Sequence, residues 1–189
     1  MKLTTPNRAA SLAVLAMLAF CTPAPAAELA GATLPDVLSA GTKTLSLNGL
    51  GVREKAMFKI YVGGLYLESH TKDADAILAA DQAKAIRMHF LRALPKDQLA
   101  GAFQEGFNAN APDKAGQKAT FDKMLAVVPN VKKDDTLSFT YVPGKGTTMQ
   151  LNAKDLATFE GKGFADAVFA IWLGRTPPSE DLKKGMLGG

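Results

Sequence analysis

The chain predicts an α+β domain, an antiparallel sheet with helices layered on one face. Three observations carry this expectation. Behind an apolar leader the first half is rich in β-formers and alternates apolar with polar residues. From Leu99 the apolar spacing switches to the helical period. Two further strands then return around Pro143-Gly144-Lys145-Gly146, a turn signal, before two more helical stretches close the chain.

In order, Thr44-Leu45-Ser46-Leu47 alternates, and Asn48-Gly49 signals a turn or bulge. Met57 to Glu68 reads as one long strand, with Gly63-Gly64 marking a bend or a close approach. Ala74 to Ala80 reads as a short helix. Ala85 to Leu91 alternates, with Ile86, Met88 and Phe90 on one face and Arg87 and His89 on the other. Leu99, Ala102, Phe103, Gly106, Phe107 and Asn110 form one helical stripe, and Phe121, Met124, Leu125 and Val128 a second. The Ala/Gly/Lys stretch 109–118 reads as a loop between them. Thr136 to Val142 and Thr147 to Leu151 read as a hairpin. Phe164 to Leu173 is apolar on nearly every side and predicts a buried helix. After Pro177-Pro178, Ser179 can cap a last helix carrying Glu180 and Asp181 in its first turn, with Gly185 and Gly188 ending it.

Residues 1–26 have the layout of a secretory signal peptide: Lys2 and Arg8, an apolar run from Ala9 to Phe20, then Ala24-Pro25-Ala26 before the cleavage point. The run is shorter than the roughly 20 residues a membrane span needs. Export to the periplasm or medium follows as an expectation, with 27–189 as a single domain and no stable membrane insertion after cleavage. Cleavage also removes Cys21, the sole cysteine, and lowers the formal charge from +4 to +2. The remaining lysines and arginines are scattered, so no nucleic-acid footprint is present.

Catalytic constellations are scarce. His70 and His89 have no cysteine or acidic neighbours at metal-ligand spacing, and no metal or cofactor is expected. Gly144-Lys145-Gly146-Thr147 lies between strands and reads as a turn, not a phosphate cradle. No nucleophile elbow or paired carboxylates stand out. What remains is Arg53, beside an otherwise apolar strand, and Tyr61. Arginine keeps its charge and its planar fork suits carboxylates, and a tyrosine hydroxyl can donate to the same group. Taken alone, each has a plainer reading: an ion pair with Glu54 or a helix carboxylate for Arg53, core packing for Tyr61. Eight residues of continuous strand would also hold them roughly 26 Å apart. They meet only if the chain reverses, and residues 54–60 hold no Gly, Pro, Asn or Asp to mark a turn.

Taken together, Leu-Asn-Gly-x-Gly-x-Arg at 47–53, Phe58-Lys59-Ile60-Tyr61-Val62-Gly63-Gly64-Leu65-Tyr66-Leu67, Ile86-Arg87-Met88-His89-Phe90, Tyr141-x-Pro143-Gly144-x-Gly146-Thr147 and the Phe164 to Gly174 segment resemble the chalcone isomerase-like family, in its bacterial exported branch. The resemblance covers the chain from about Leu34 onward. It implies an open-faced β-sandwich in which the arginine and the later hydroxyl residue sit on neighbouring strands of a hairpin. Arg53 matches the family's arginine, and Tyr61 stands where the catalytic members carry threonine, as in the non-catalytic fatty-acid-binding relatives. The Tyr-x6-Asn of the catalytic members has no equivalent in 97–105, and Ile171 replaces their late Ser/Thr. The resemblance therefore implies a non-catalytic binder of a small amphiphile such as a fatty acid, held by Arg53 and Tyr61, with Phe103, Phe107, Ile171 and Trp172 as pocket lining. An isomerase or lyase acting on an enone-like molecule, and a pocketless envelope protein with a partner-binding role, are the alternatives.

Overall fold

The computed structural model describes residues 26–189, so the expected leader lies outside the described residues except for Ala26, which already pairs with Pro35. The chain opens with a small hairpin, β1 (Ala26–Leu29) and β2 (Ala32–Pro35). Seven strands then form one antiparallel sheet whose spatial order is the chain order: β3 (Val37–Ala40), β4 (Lys43–Lys55), β5 (Phe58–Leu67), β6 (Lys84–Phe90), β7 (Thr136–Val142), β8 (Gly146–Leu151) and β9 (Lys154–Phe159). Helix α1 (Ala74–Ala79) joins β5 to β6, while α2 (Lys96–Asn110) and α3 (Lys114–Ala126) join β6 to β7. Helices α4 (Lys162–Leu173) and α5 (Glu180–Met186) follow β9. The sheet curls far enough to bring the β3–β4 turn at Gly41 against Val142 of β7.

Strand alternation sorts the sheet into two faces. Leu65, Ile86, Met88, Phe90, Leu137 and Phe139 point into the main core under the helices, as the alternation in 85–91 predicts. The opposite face buries Val62, Tyr66 and Ala85 beneath the β1–β2 hairpin, where Leu34 covers them and the Tyr66 hydroxyl donates to the Pro35 carbonyl at 2.9 Å. Helix α4 is buried from Phe164 to Leu173 apart from Asp166, because it lies against the sheet and is flanked by α1, α2 and α3. One charged group enters the main core. Lys84 donates to the carbonyls of Ile77 and Ala80 at 2.8 and 3.1 Å, capping the end of α1, and burial pulls its pKa down to about 8.

Several expectations change. The strand expected to start at Met57 starts at Phe58, because Ala56 and Met57 form a tight reversal. The loop expected over 109–118 shrinks to three residues. Helix α2 runs to Asn110, and Asp113 caps α3 by accepting from the Gly116 amide at 3.0 Å. Alanine and lysine are good helix formers, and the cap lets them continue in helix on either side of Pro112. Strands β1, β2, β3 and β9 add to the expected elements; each is short and pairs across a two-residue turn, at Ala30-Gly31, Gly41-Thr42 or Asn152-Ala153, that holds glycine or asparagine at positive φ. The Ser179 cap forms as expected, its hydroxyl accepting from Leu182 at 3.1 Å.

Asn48 is the extra residue of a β-bulge between Leu47 and Gly49. Its side chain bonds the Thr71 amide and carbonyl and the Met186 carbonyl, which ties β4 to the following loop and to α5. Beyond the bulge, α5 lies directly on the β4 backbone. A Cβ on Gly51 would sit 2.3 Å from the Leu182 carbonyl oxygen, so only glycine permits that approach. Gly101 of α2 is the opposite case, with nothing within 4 Å of an added Cβ. Gly51→Ala is therefore expected to destabilise the fold by about 1–3 kcal/mol, whereas Gly101→Ala is expected to stabilise it by up to about 1 kcal/mol. Urea unfolding measures both, and shifts of the same sign would contradict this packing of α5.

Candidate functional site

Strands β4 and β5 reverse through Ala56 and Met57, whose φ angles are 48° and 68°. Two successive positive φ values define the primed turn that matches the twist of a two-residue hairpin. Ile60 is then the extra residue of a bulge between the Glu54–Lys59 and Arg53–Tyr61 pairs. The consequence is that Arg53 stands directly opposite Tyr61. Opposed residues of an antiparallel pair share a face, so the two side chains are brought to one side of the sheet.

They meet at a cavity of about 620 Å³, within the ordinary range for small-molecule sites. One wall is the end of the β4–β5 hairpin, with Arg53, Lys55, Ile60 and Tyr61. A second is the outer side of α2, and a third is the strap after α4, with Thr176, Pro177 and Pro178. The floor is apolar and fully buried, formed by Leu99, Phe103, Ile171 and Trp172. Phe103 and Trp172 meet edge to face at 5.9 Å, and Phe139 joins them from the sheet. The strap is held by Asn110, which bonds both the amide and the carbonyl of Thr176 at 2.8 Å, and by Lys183 on the Gly174 carbonyl.

The polar end has a specific arrangement of protons. The Trp172 indole N–H, which can only donate, bonds the Tyr61 hydroxyl oxygen at 3.0 Å. That fills one acceptor site of the phenol and leaves its own proton free, since no described residue accepts it. Burial pushes the Tyr61 pKa up to about 12, against smaller opposing effects of the Trp172 bond and the Arg53 charge. The phenol is thus a neutral donor at every ordinary pH. Arg53 donates to the backbone carbonyl of Glu54 rather than to its carboxylate, and among the described residues no acidic side chain pairs with it. Glu105 and Gln98 of α2 also reach the lining, where the cations Arg53 and Lys55 outnumber the one carboxylate.

Of the residues singled out from the sequence, Arg53, Tyr61, Phe103, Ile171 and Trp172 line this one cavity. Phe107 does not; it points to the other side of α2 and stacks on Phe121 with centroids 4.0 Å apart. One helical stripe spans more than one neighbour, so position on the stripe does not tell cavity from core. The strap, Lys55 and Glu105 escape sequence reading. Pro177-Pro178 signals only a helix boundary, and nothing local says that it folds back over a cavity. His89 lies away from the cavity, near Thr136 and Asp134, and no group of metal-ligating side chains occurs among the described residues.

These features define a class: a meandering antiparallel sheet under helices, with a lateral apolar cavity headed by one phenol and the cations Arg53 and Lys55. The chain belongs to the chalcone isomerase-like family, whose profile matches residues 26–188. Among solved structures it is similar to a crystal structure of a fatty-acid binding protein of Arabidopsis thaliana (AtFAP1). The TM-score is 0.72 at 15% identity, over 86% of this chain and 96% of that one. At that identity the likeness establishes the fold. A comparison with curated proteins found no match.

All three tyrosines are shifted the same way. Burial raises Tyr66 and Tyr141 still further than Tyr61, and the hydrogen bond from the Tyr141 hydroxyl to Asp81 at 2.6 Å adds to its shift. The folded protein should therefore show almost no phenolate absorbance at pH 10–11, where the urea-unfolded chain shows it fully. The unfolded state loses these protons first, so stability falls as pH rises above the ordinary tyrosine value of 10.0 toward 12. A titration of tyrosine absorbance with a midpoint near pH 10 in the folded protein would contradict the burial of these hydroxyls.

Proposed function

We propose that the protein is an exported, non-catalytic binder of a small amphiphilic carboxylate, a fatty acid being the class that fits. The observation that carries this reading is the opposition of Arg53 and Tyr61 at the head of an apolar cavity, both with donors uncommitted to any protein carboxylate. A guanidinium fork and a neutral phenol O–H supply parallel donors to the two oxygens of a carboxylate. The tail then lies along Ile60, Phe103, Ile171 and Trp172, where each buried methylene contributes about 0.8 kcal/mol. The fatty-acid binding described for the Arabidopsis relative supports the same ligand class. Export rests on the leader at residues 1–26, whose features are those of a cleaved signal.

Binding rather than turnover is favoured by the chemistry of the cavity. A phenol with a pKa near 12 is a poor match for acid–base work at neutral pH. Among the described residues the cavity lining contains no histidine, cysteine or second hydroxyl beside Tyr61 apart from Thr176 on the strap.

Delipidated protein titrated with palmitate in a calorimeter tests the reading. The wild type is expected to bind one equivalent. Arg53→Ala is expected to weaken binding about 10- to 150-fold, the equivalent of one charge-assisted hydrogen bond. Tyr61→Phe should weaken it less and should also destabilise the fold by about 1–3 kcal/mol, because the buried Trp172 N–H loses its acceptor. No heat of binding in the wild type, or equal affinity in Arg53→Ala, would overturn the proposal.

A further inference from the structure

The end of the β4–β5 hairpin carries a surface that the cavity does not use. Met57 is 96% exposed and Phe58 57% exposed, and among the described residues only Val37 and Val127 are other large apolar side chains left open. Met57 and Phe58 are adjacent, and they occupy the very tip of a hairpin. An apolar side chain has no favourable reason to stand fully in water. The turn itself adds to the anomaly. Its residues take left-handed backbone conformations that favour Asn and Gly, yet positions 56 and 57 hold alanine and methionine.

The groups around the tip are basic. Arg53, Lys55 and Lys59 flank it along the two strands against the single carboxylate of Glu54, and the Arg92 guanidinium lies 4.6 Å from the Phe58 ring centroid. Two protruding apolar side chains ringed by lysine and arginine match the boundary of an anionic bilayer. There apolar groups enter the acyl region while cations meet the headgroups. The tip also continues into the cavity, because Arg53, Lys55 and Ile60 line it within a few residues of Met57. Among the described residues no helix is long and apolar enough to cross a membrane, so contact through this tip would be peripheral.

We infer that the β4–β5 hairpin tip is a docking element for an anionic lipid membrane, with Met57 and Phe58 entering the bilayer and Lys55, Lys59 and Arg92 meeting its headgroups. Docking stands on the tip alone. Its consequence, that the cavity mouth faces the lipid from which an amphiphile is taken, rests on the proposed function.

The test is co-sedimentation of the purified protein, lacking residues 1–26 by signal cleavage or expression design, with two kinds of vesicle. One is phosphatidylcholine alone, the other equal parts phosphatidylcholine and phosphatidylglycerol. Partitioning should be at least tenfold stronger on the anionic vesicles and should fall as salt screens it. The triple substitution Ala56→Asn, Met57→Gly, Phe58→Thr gives the turn its preferred residues and removes both apolar side chains. It should raise or preserve urea stability, leave palmitate affinity in solution unchanged, and reduce vesicle binding at least tenfold. Lys59→Glu with Arg92→Glu should reduce it similarly. Absence of binding to anionic vesicles overturns the proposal. So does binding that survives the triple substitution, which would mean surface adsorption by charge alone, and so does a tip-dependent dimer without vesicle binding. Loss of palmitate binding with vesicle binding intact would instead count against the cavity and leave the docking element standing.

Discussion

The placement of the site depends on where β4 turns back into β5. The reversal at Ala56–Met57 and the bulge at Ile60 together put Arg53 opposite Tyr61. A register one residue different would turn one of the two side chains to the opposite face of the sheet. The hairpin accepts left-handed backbone at two residues with side chains, a cost of order 1–2 kcal/mol each, and the long pairing of β4 with β5 holds it there. Once the register is set, the cation, the phenol and the bulged Ile60 all arrive at the rim of a single cavity.

The rest of the fold finishes that cavity from the other side. Trp172 of α4 reaches the Tyr61 hydroxyl and fixes which way its proton is available. Asn110 of α2 and Lys183 of α5 pin the strap that forms the third wall. Helix α5 can serve as an anchor because Gly49 and Gly51 let it lie against the β4 backbone, and because Asn48 bonds the Met186 carbonyl. The same glycine-punctuated segment that ends in Arg53 therefore holds both the strand register and the helix that fastens the strap. The space between sheet and helices is itself filled by Phe103, Phe139 and Trp172, so the open volume lies at the edge of the layer, beside the hairpin.

Much of this was legible in the amino-acid sequence and some was not, for identifiable reasons. Alternation in 85–91, the Pro143 to Gly146 turn, the largely apolar α4 and the Ser179 cap each act within a few residues, and each forms as read. The Ala56–Met57 turn was invisible because its residues lack turn chemistry; pairing of the flanking strands imposes it. Lys84 carried no mark of burial, since its carbonyl partners at Ile77 and Ala80 come from the end of a preceding helix whose placement is tertiary. For the cavity, Arg53, Tyr61, Phe103, Ile171 and Trp172 could be gathered through family resemblance. Phe107 could not be separated from Phe103, because both lie on one helical stripe and only the neighbouring α3 decides which of them faces core.

The central claim is that Arg53 and Tyr61 grip one carboxylate. A crystal structure of the protein with a terminally brominated fatty acid tests it most directly, because the bromine's anomalous signal locates the tail independently of the head. The account predicts both carboxylate oxygens within about 3 Å of the Arg53 guanidinium and the Tyr61 hydroxyl, with bromine in the apolar part of the cavity near Phe103 and Ile171. A carboxylate left in solvent or held by Lys55 alone, or a bromine site outside the cavity, would contradict it.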